Sequence, residues 1–249
     1  QCAAIAMKFF GEKFDIQTGS RELIFPHHEN EVAITRASRG ASLARYWLHC
    51  DPVRYDGSLG VSNIESLTIE NLVKMGWELK TIRFWLISNH YRKTLMLSEQ
   101  ALKQAQYTLD KINRCISTLS IIGNGSGFEE MDQFIYDMKS SFFQSMEDDL
   151  KISCVISSLL ANVKIINRLI NQNKINAEDA QKLVNCFKEM DSVLKIFNFE
   201  KKKDHSKQIQ DLITERDKAR QQNNFHLADK IRNQLIDLGI SVHDKKVEP

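Results

Sequence analysis

An α/β segment followed by an all-α region and a small helical or mixed module is the fold this sequence predicts, and three observations predict it. Over the first ninety-odd residues, short apolar runs, turns and helical stretches alternate, as in an α/β domain. Beyond residue 96, apolar side chains recur at the three- and four-residue spacing of amphipathic helices. Lys201-Lys202-Lys203 then reads as a solvated linker ahead of a stretch with its own pattern. The expected domains are residues 1–96, 97–200 and 201–249.

Taken in order, Ala3 to Phe10 reads as a helix and Lys13 to Gln17 as a short strand. Gly19 and Ser20 are expected to turn the chain toward the apolar run Leu23 to Phe25. Pro26 suits the first turn of a helix, which is expected to run on through Glu31, Val32, Ala33 and Ile34. Ala41 to His49 reads as helical, and Asp51-Pro52 breaks it. Val53 to Gly57 is a short strand and turn.

Ser98 caps a helix that has Glu99 in its first turn and Ala101, Leu102, Ala105, Leu109, Ile112, Ile116 and Leu119 along one face. Gly123 to Gly127 reads as a flexible connector. Met131 to Met146, Ile152 to Leu169 and Ala177 to Phe197 follow as amphipathic helices, which makes a bundle. The most apolar long stretch, Ile152 to Ile170, carries Asn162, Lys164, Asn167 and Arg168, so a bundle helix is expected there and not a membrane span. In the last module, Ile209, Leu212, Ile213 and Ala219 line one helix and Leu227, Ala228, Ile231 and Leu235 a second. Gly239 ends the second helix, and Ile240 to Val242 is a short strand.

Lys and Arg number 34 against 32 Asp and Glu, which excludes a strongly basic coat and requires any nucleic-acid contact to come from a local patch. The five cysteines are scattered without a CxxC pair, which points to reduced thiols in the cytoplasm or an organelle interior. The chain opens on Gln1 without an initiating methionine, directly ahead of Cys2, and is expected to be a piece of a longer polypeptide beginning inside a domain.

The chemistry-bearing residues concentrate in Cys2 and Phe25-Pro26-His27-His28-Glu29-Asn30-Glu31. On a helix His27 and Glu31, four apart, project from one face and can share a cation. Cys2 could add a thiolate, and a sulfur, nitrogen and carboxylate set suits zinc with one position left over. On residue types alone, a solvated His/Glu pair and a small core cysteine are equally open readings.

Cys2, Phe10-Gly11-Glu12, Phe14-Asp15-Ile16 and above all Ile24 to Glu31 closely resemble the zinc-binding segment of cysteinyl-tRNA synthetases, including the spacing from the cysteine to the first histidine. Leu43 to His49 and Ile82 to Arg92 are similar to two further stretches of that family, although Tyr46, Trp47, Phe84 and Trp85 are most simply core aromatics. The resemblance implies the C-terminal part of a class I Rossmann-like catalytic domain, a helix bundle and an anticodon-recognising module. It implies zinc held by two cysteines, a histidine and a glutamate, with Cys2, His27 and Glu31 on three of those positions and the other cysteine in an N-terminal half outside this chain. Zinc bonds a substrate thiolate far better than a hydroxyl, which separates cysteine from serine where an apolar pocket discriminates poorly.

Two departures stand out. Where the family reads Asp-Ile-His-Gly-Gly-Gly, this chain reads Asp15-Ile16-Gln17-Thr18-Gly19-Ser20. Gln17 thus replaces a histidine of the cysteine pocket, and it can donate a hydrogen bond but cannot be protonated. After Gly57 the family carries the KMSKS loop, whose lysines stabilise ATP phosphates during adenylate formation, whereas Ser58-Leu59-Gly60 follows directly here and no lysine occurs between Arg54 and Lys74. Either the loop has degenerated or a lysine-bearing tip is missing from this stretch.

Residues 201–249 hold eleven basic against eight acidic side chains, and their pattern from Glu215 to Ile240 resembles the anticodon-recognising module. The resemblance marks Arg216, Arg220, Lys230 and Arg232 as the tRNA-contacting set, through phosphates or unstacked bases. Pairing with Asp217 and Asp229 is the competing use of the same side chains. The expected activity is that of a cysteine-tRNA ligase. It would use cysteine, ATP with Mg²⁺ and tRNA(Cys), and would be expressed only together with the missing N-terminal half in the same or another chain. The alternatives are a non-catalytic synthetase-like RNA-binding or scaffold subunit, and a ligase joining cysteine to a small molecule.

Overall fold

The computed structural model describes residues 2–11, 14–40, 42–60, 67–199, 212, 215, 216, 219 and 224–237. Two compact units make up the chain, Gln1–Ala105 with Leu150–Ser153 and Gln106–Asp149 with Cys154–Pro249.

In the first unit, helix α1 (Cys2–Phe10) leads into strand β1 (Phe14–Ser20). β1 extends past Gln17, so Gly19 and Ser20 belong to the strand and the turn falls at the short 3₁₀ segment Arg21–Leu23. Phe25 is extended (φ −123°, ψ 132°), its peptide bond to Pro26 is cis, and helical backbone begins at Pro26 and continues as α2 (Glu29–Arg39). The expected helix start is therefore observed. α2 ends on Gly40, whose φ of 70° closes the last turn at little steric cost.

The helix expected over Ala41 to His49 is instead β2 (Ala44–Cys50), parallel to β1 with Ile16 beside Tyr46, Gln17 beside Trp47 and Gly19 beside His49. An aromatic-rich seven-residue run fits a pleated surface, and pairing with β1 overrides its weak local helical pattern. Strands β3 (Val53–Tyr55) and β4 (Leu95–Leu97) form a second parallel pair. Between them lie α3 (Ile69–Lys74) and α4 (Leu79–Ile87). α4 buries Ile82, Phe84 and Trp85, and Trp85 Nε1–H donates to the Met96 carbonyl at 3.2 Å, tying α4 to β4. Phe84 and Trp85 are core residues as expected, whereas Tyr46 is exposed.

Helix α5 (Glu99–Leu119) starts where Ser98 Oγ accepts the Ala101 N–H at 2.9 Å. The second unit continues with α6 (Met131–Glu147), α7 (Ile152–Asn171) and α8 (Ala177–Leu194), around Leu109, Ile112, Ile116, Phe142, Leu159, Ile166, Leu183 and Phe187. α7 is long and apolar enough to cross a membrane by length and composition. Its buried residues Ile152, Val155, Leu159, Val163, Ile166 and Leu169 nevertheless form one stripe, the signature of a helix packed in a bundle.

α8 ends at Leu194, three residues short of the expected end at Phe197, with Lys195 in the left-handed region, because Asp191 Oδ1 takes the N–H groups of Ile196 and Phe197 at 2.7 and 2.9 Å. Gly123 to Gly127 is not a free connector. Gly125 N–H donates to the Ile175 carbonyl, Asn124 bridges Asn176, and buried Asp179 accepts the Phe128 N–H at 3.0 Å while completing the capping box of α8 with Asn176.

The Lys201 linker, Ile209, Ile213, Gly239 and the strand expected over Ile240 to Val242 lie outside the described residues. Leu212, Glu215, Arg216 and Ala219 are helical, and α9 (Phe225–Asp237) buries Ala228 and Ile231 of the expected stripe, whereas Leu227 is exposed and the side chain of Leu235 lies outside the described residues.

Candidate functional site

Parallel β1 and β2 end side by side, and their alternation sorts side chains onto two faces. One face carries Gln17 and Gly19 from β1 with Trp47 and His49 from β2. His28, at the start of the helix that follows β1, lies over Gly19, where a Cβ would collide with Cε1 of the imidazole and sit 3.0 Å from Nε2. His28 is 7% exposed and shares a 2.9 Å hydrogen bond from Nδ1 to Nε2 of His49. Trp47 packs on both rings, with centroids 5.2 Å from His28 and 6.0 Å from His49. Burial, and then the neighbouring His28, hold the His49 imidazole below its ordinary value.

Of the expected ligands, Glu31 is half-buried, and its Oε2 is fully enclosed without a hydrogen-bond partner. A lone buried carboxylate oxygen is costly, and a cation is one way to satisfy it. On the helix Glu31 projects between the directions of His27 and His28, and α1, which carries Cys2, packs against α2. Cys2 and His27 are exposed, and among the described residues no three His, Cys, Asp or Glu side chains are grouped to hold a metal. The donor types and the orphaned oxygen fit zinc, although the structure does not bring the three residues together as a ligand group.

Gln17 is half-buried on the imidazole-bearing face. Past β3 the backbone passes from Gly57 to Ser58 in a short turn. Asp56 Oδ1 takes the Ser58 N–H at 2.9 Å, Tyr55 OH takes the Leu59 N–H at 3.1 Å, and Ser58 Oγ takes the Glu99 N–H at 2.9 Å. Hydrogen bonds from the Ser58 backbone N–H, and then from its side chain, hold the Asp56 carboxyl below its usual range.

In the last module Arg216 is buried and Lys230 exposed, whereas the side chains of Arg220 and Arg232 lie outside the described residues. His28, His49 and Gly19 are the site residues that sequence reasoning passed over. The signal for His49 is period-two alternation with Trp47, which a helical reading of the run hides.

Comparison with known proteins places these features. A family model described as the tRNA synthetases class I (C) catalytic domain matches residues 1–107, and one described as the cysteinyl-tRNA ligase anticodon binding domain matches residues 202–248. The cysteine-tRNA ligase of Brachyspira hyodysenteriae is 34% identical over 256 residues, covering 98% of this chain and 53% of its own length. Those of Clostridioides difficile and Leptospira interrogans are 31% and 34% identical, each covering 99% of this chain and 54% of its own length. The chain belongs to the cysteine-tRNA ligase family. It spans about half the length of the curated relatives it matches. Within that family framework the β1–β2 pair and α2 fall in the class I catalytic domain, and α9 in the anticodon binding domain.

Proposed function

We propose that this chain is the cysteine-selecting and tRNA-reading part of a cysteine-tRNA ligase, which activates cysteine with ATP and Mg²⁺ and transfers it to tRNA(Cys). The observation that carries this reading is the presence on one chain of both matches, with the imidazole and carboxylate cluster inside the catalytic one. Cys2, His27 and Glu31 would hold zinc, and the orphaned Glu31 oxygen is the structural support for it. Bound there, zinc supplies a soft Lewis acid that grips a thiolate and not a hydroxyl.

The chain's own residues do the rest. His28, seated over Gly19 and hydrogen-bonded to His49, fixes the start of the helix that presents His27 and Glu31. Trp47 and the hydrogen-bonding Gln17 line the same face, where a bound amino acid is shielded from water. Of the basic residues expected to contact tRNA, Arg220, Lys230 and Arg232 keep that role in this reading, whereas Arg216 is buried and does not, and a reducing compartment, the cytoplasm or an organelle interior, suits the five free thiols.

A second reading is favoured by one observation. The turn at residues 56–60 holds no lysine and is pinned to β3 and to the first turn of α5, so nothing described there can follow ATP phosphates. On that reading the protein is a non-catalytic synthetase relative that binds RNA. Aminoacylation of tRNA(Cys) by the full gene product, with and without zinc, separates the two. Zinc-dependent charging with cysteine supports the ligase, and tRNA binding without charging or pyrophosphate exchange supports the relative.

A further inference from the structure

In the bundle unit, α6 and α7 touch through Ser141 Oγ and Ser158 Oγ, 3.2 Å apart. Toward the other end of the same two helices they enclose a cleft of about 420 Å³, at the lower end of the range for small-molecule sites. Its floor is apolar, with Phe134 of α6 and Ile165 and Leu169 of α7. The segments beside it are anchored. Phe128 N–H donates to buried Asp179 at 3.0 Å, and Ser126 N–H donates to the Asn173 carbonyl at 3.0 Å, next to Lys174. The cleft is therefore formed before any ligand arrives, which lowers the cost of filling it.

The charged side chains lining the cleft are sorted by wall. Glu130, just ahead of α6, and Asp137 of α6 stand on one side, and Arg168 of α7 and Lys174, just past it, on the other. Among the described residues no ion pair joins the two walls, and Glu130, Arg168 and Lys174 make no side-chain hydrogen bond. Asp137 accepts one, from Gln133 Nε2 at 2.9 Å on its own helix. Carboxylates only accept and guanidinium and ammonium groups only donate, so the cleft sets acceptors opposite donors with formal charges that cancel. An RNA backbone could reach Arg168 and Lys174 only by lying against Glu130 and Asp137, whose repulsion cancels the gain. A ligand with one cationic and one anionic end satisfies both walls.

We infer that this cleft binds a zwitterionic apolar dipeptide, with its carboxylate on Arg168 and Lys174, its ammonium on Glu130 and Asp137, and its side chains on Phe134, Ile165 and Leu169. A carboxylate matches the planar fork of an arginine, which can hold both of its oxygens. The distribution of charge over two helices sets the length. Packed helix axes lie about 8 to 10 Å apart, whereas a free amino acid carries both charges on one carbon, and each peptide unit separates them by about 3.8 Å more. The cleft falls between residues 128 and 174, which neither family model covers, so the inference does not rest on the ligase reading.

The test titrates the full gene product calorimetrically with L-leucyl-L-phenylalanine, its N-acetyl form, its C-terminal amide, free L-phenylalanine and AMP. The free dipeptide should bind at one saturable site, and blocking either end should weaken it at least tenfold. Glu130→Ala and Arg168→Ala, both at exposed positions, should each weaken it to a similar extent without changing the helical circular dichroism. Arg168→Ala should also erase the difference between the dipeptide and its amide while keeping the difference from the N-acetyl form, and Glu130→Ala should do the reverse. A loss of folding would produce neither pattern. No binding of the dipeptide at millimolar concentration, equal binding of the blocked forms, equal or tighter binding of free phenylalanine, AMP binding that Arg168→Ala abolishes, or affinity indifferent to both substitutions would each overturn the inference.

Discussion

Gly19 shows how one missing methyl group can organise a site. The His28 ring occupies the volume a Cβ would need, and its bond to His49 depends on that seat. Gly19→Ala should displace His28 and, if the ligase proposal holds, raise the KM of the full gene product for cysteine at least tenfold, with a smaller effect on the KM for ATP. Equal effects on both would mean a general loss of folding instead. His49 adds a pH dependence. Its folded value lies below the ordinary 6.5, so the unfolded chain takes up the proton first as pH falls. The stability it contributes is intact above about pH 6.5 and declines below it. Urea midpoints at pH 7.5 and 5.5 should therefore separate more for the native protein than for His49→Gln.

The thiols divide just as sharply. Burial pushes Cys115 up to about 12 and Cys186 up to about 11, whereas Cys2, Cys50 and Cys154 are exposed. Alkylation of the folded, metal-free protein should label these three and leave the other two until denaturant is added. Zinc should protect Cys2 alone.

At the scale of elements, the anchored glycine connector is the feature whose loss should be felt most. A side chain at Gly125 would run into the Ile175 carbonyl oxygen, which is backbone and cannot swing away. Gly125→Ala is expected to cost more than Asn176→Ala, which removes one helix cap at about 1 kcal/mol. Chemical denaturation of the two variants side by side checks the order.

The helices were legible because their apolar stripes repeat over several turns, as in α5 from Leu102 to Leu119 and α7 from Ile152 to Leu169. β2 was not, because seven residues, Ala44 to Cys50, carry too little periodicity to separate strand from helix, and only the partner strand decides. The connector looked loose because its partners, Ile175 and Asn176, lie fifty residues away in sequence. His27 and Glu31 could be singled out by spacing, but the burial of His28 depends on Gly19, Trp47 and His49 arriving from two strands.

Across the whole molecule, two family matches and an imidazole cluster on the β1–β2 pair belong to one account. The bundle unit is built around fully buried apolar side chains. Leu183→Ala, at a fully buried position of α8, should destabilise it by about 2 to 5 kcal/mol, read from its urea transition.

X-ray absorption at the zinc edge of the full gene product tests the central claim most directly. The account predicts bound zinc with mixed sulfur and nitrogen or oxygen neighbours, lost in Cys2→Ser and in Glu31→Gln, and one added sulfur neighbour when cysteine but not serine is supplied. Zinc absent from the native protein, or a coordination shell indifferent to both substitutions and to cysteine, would contradict it.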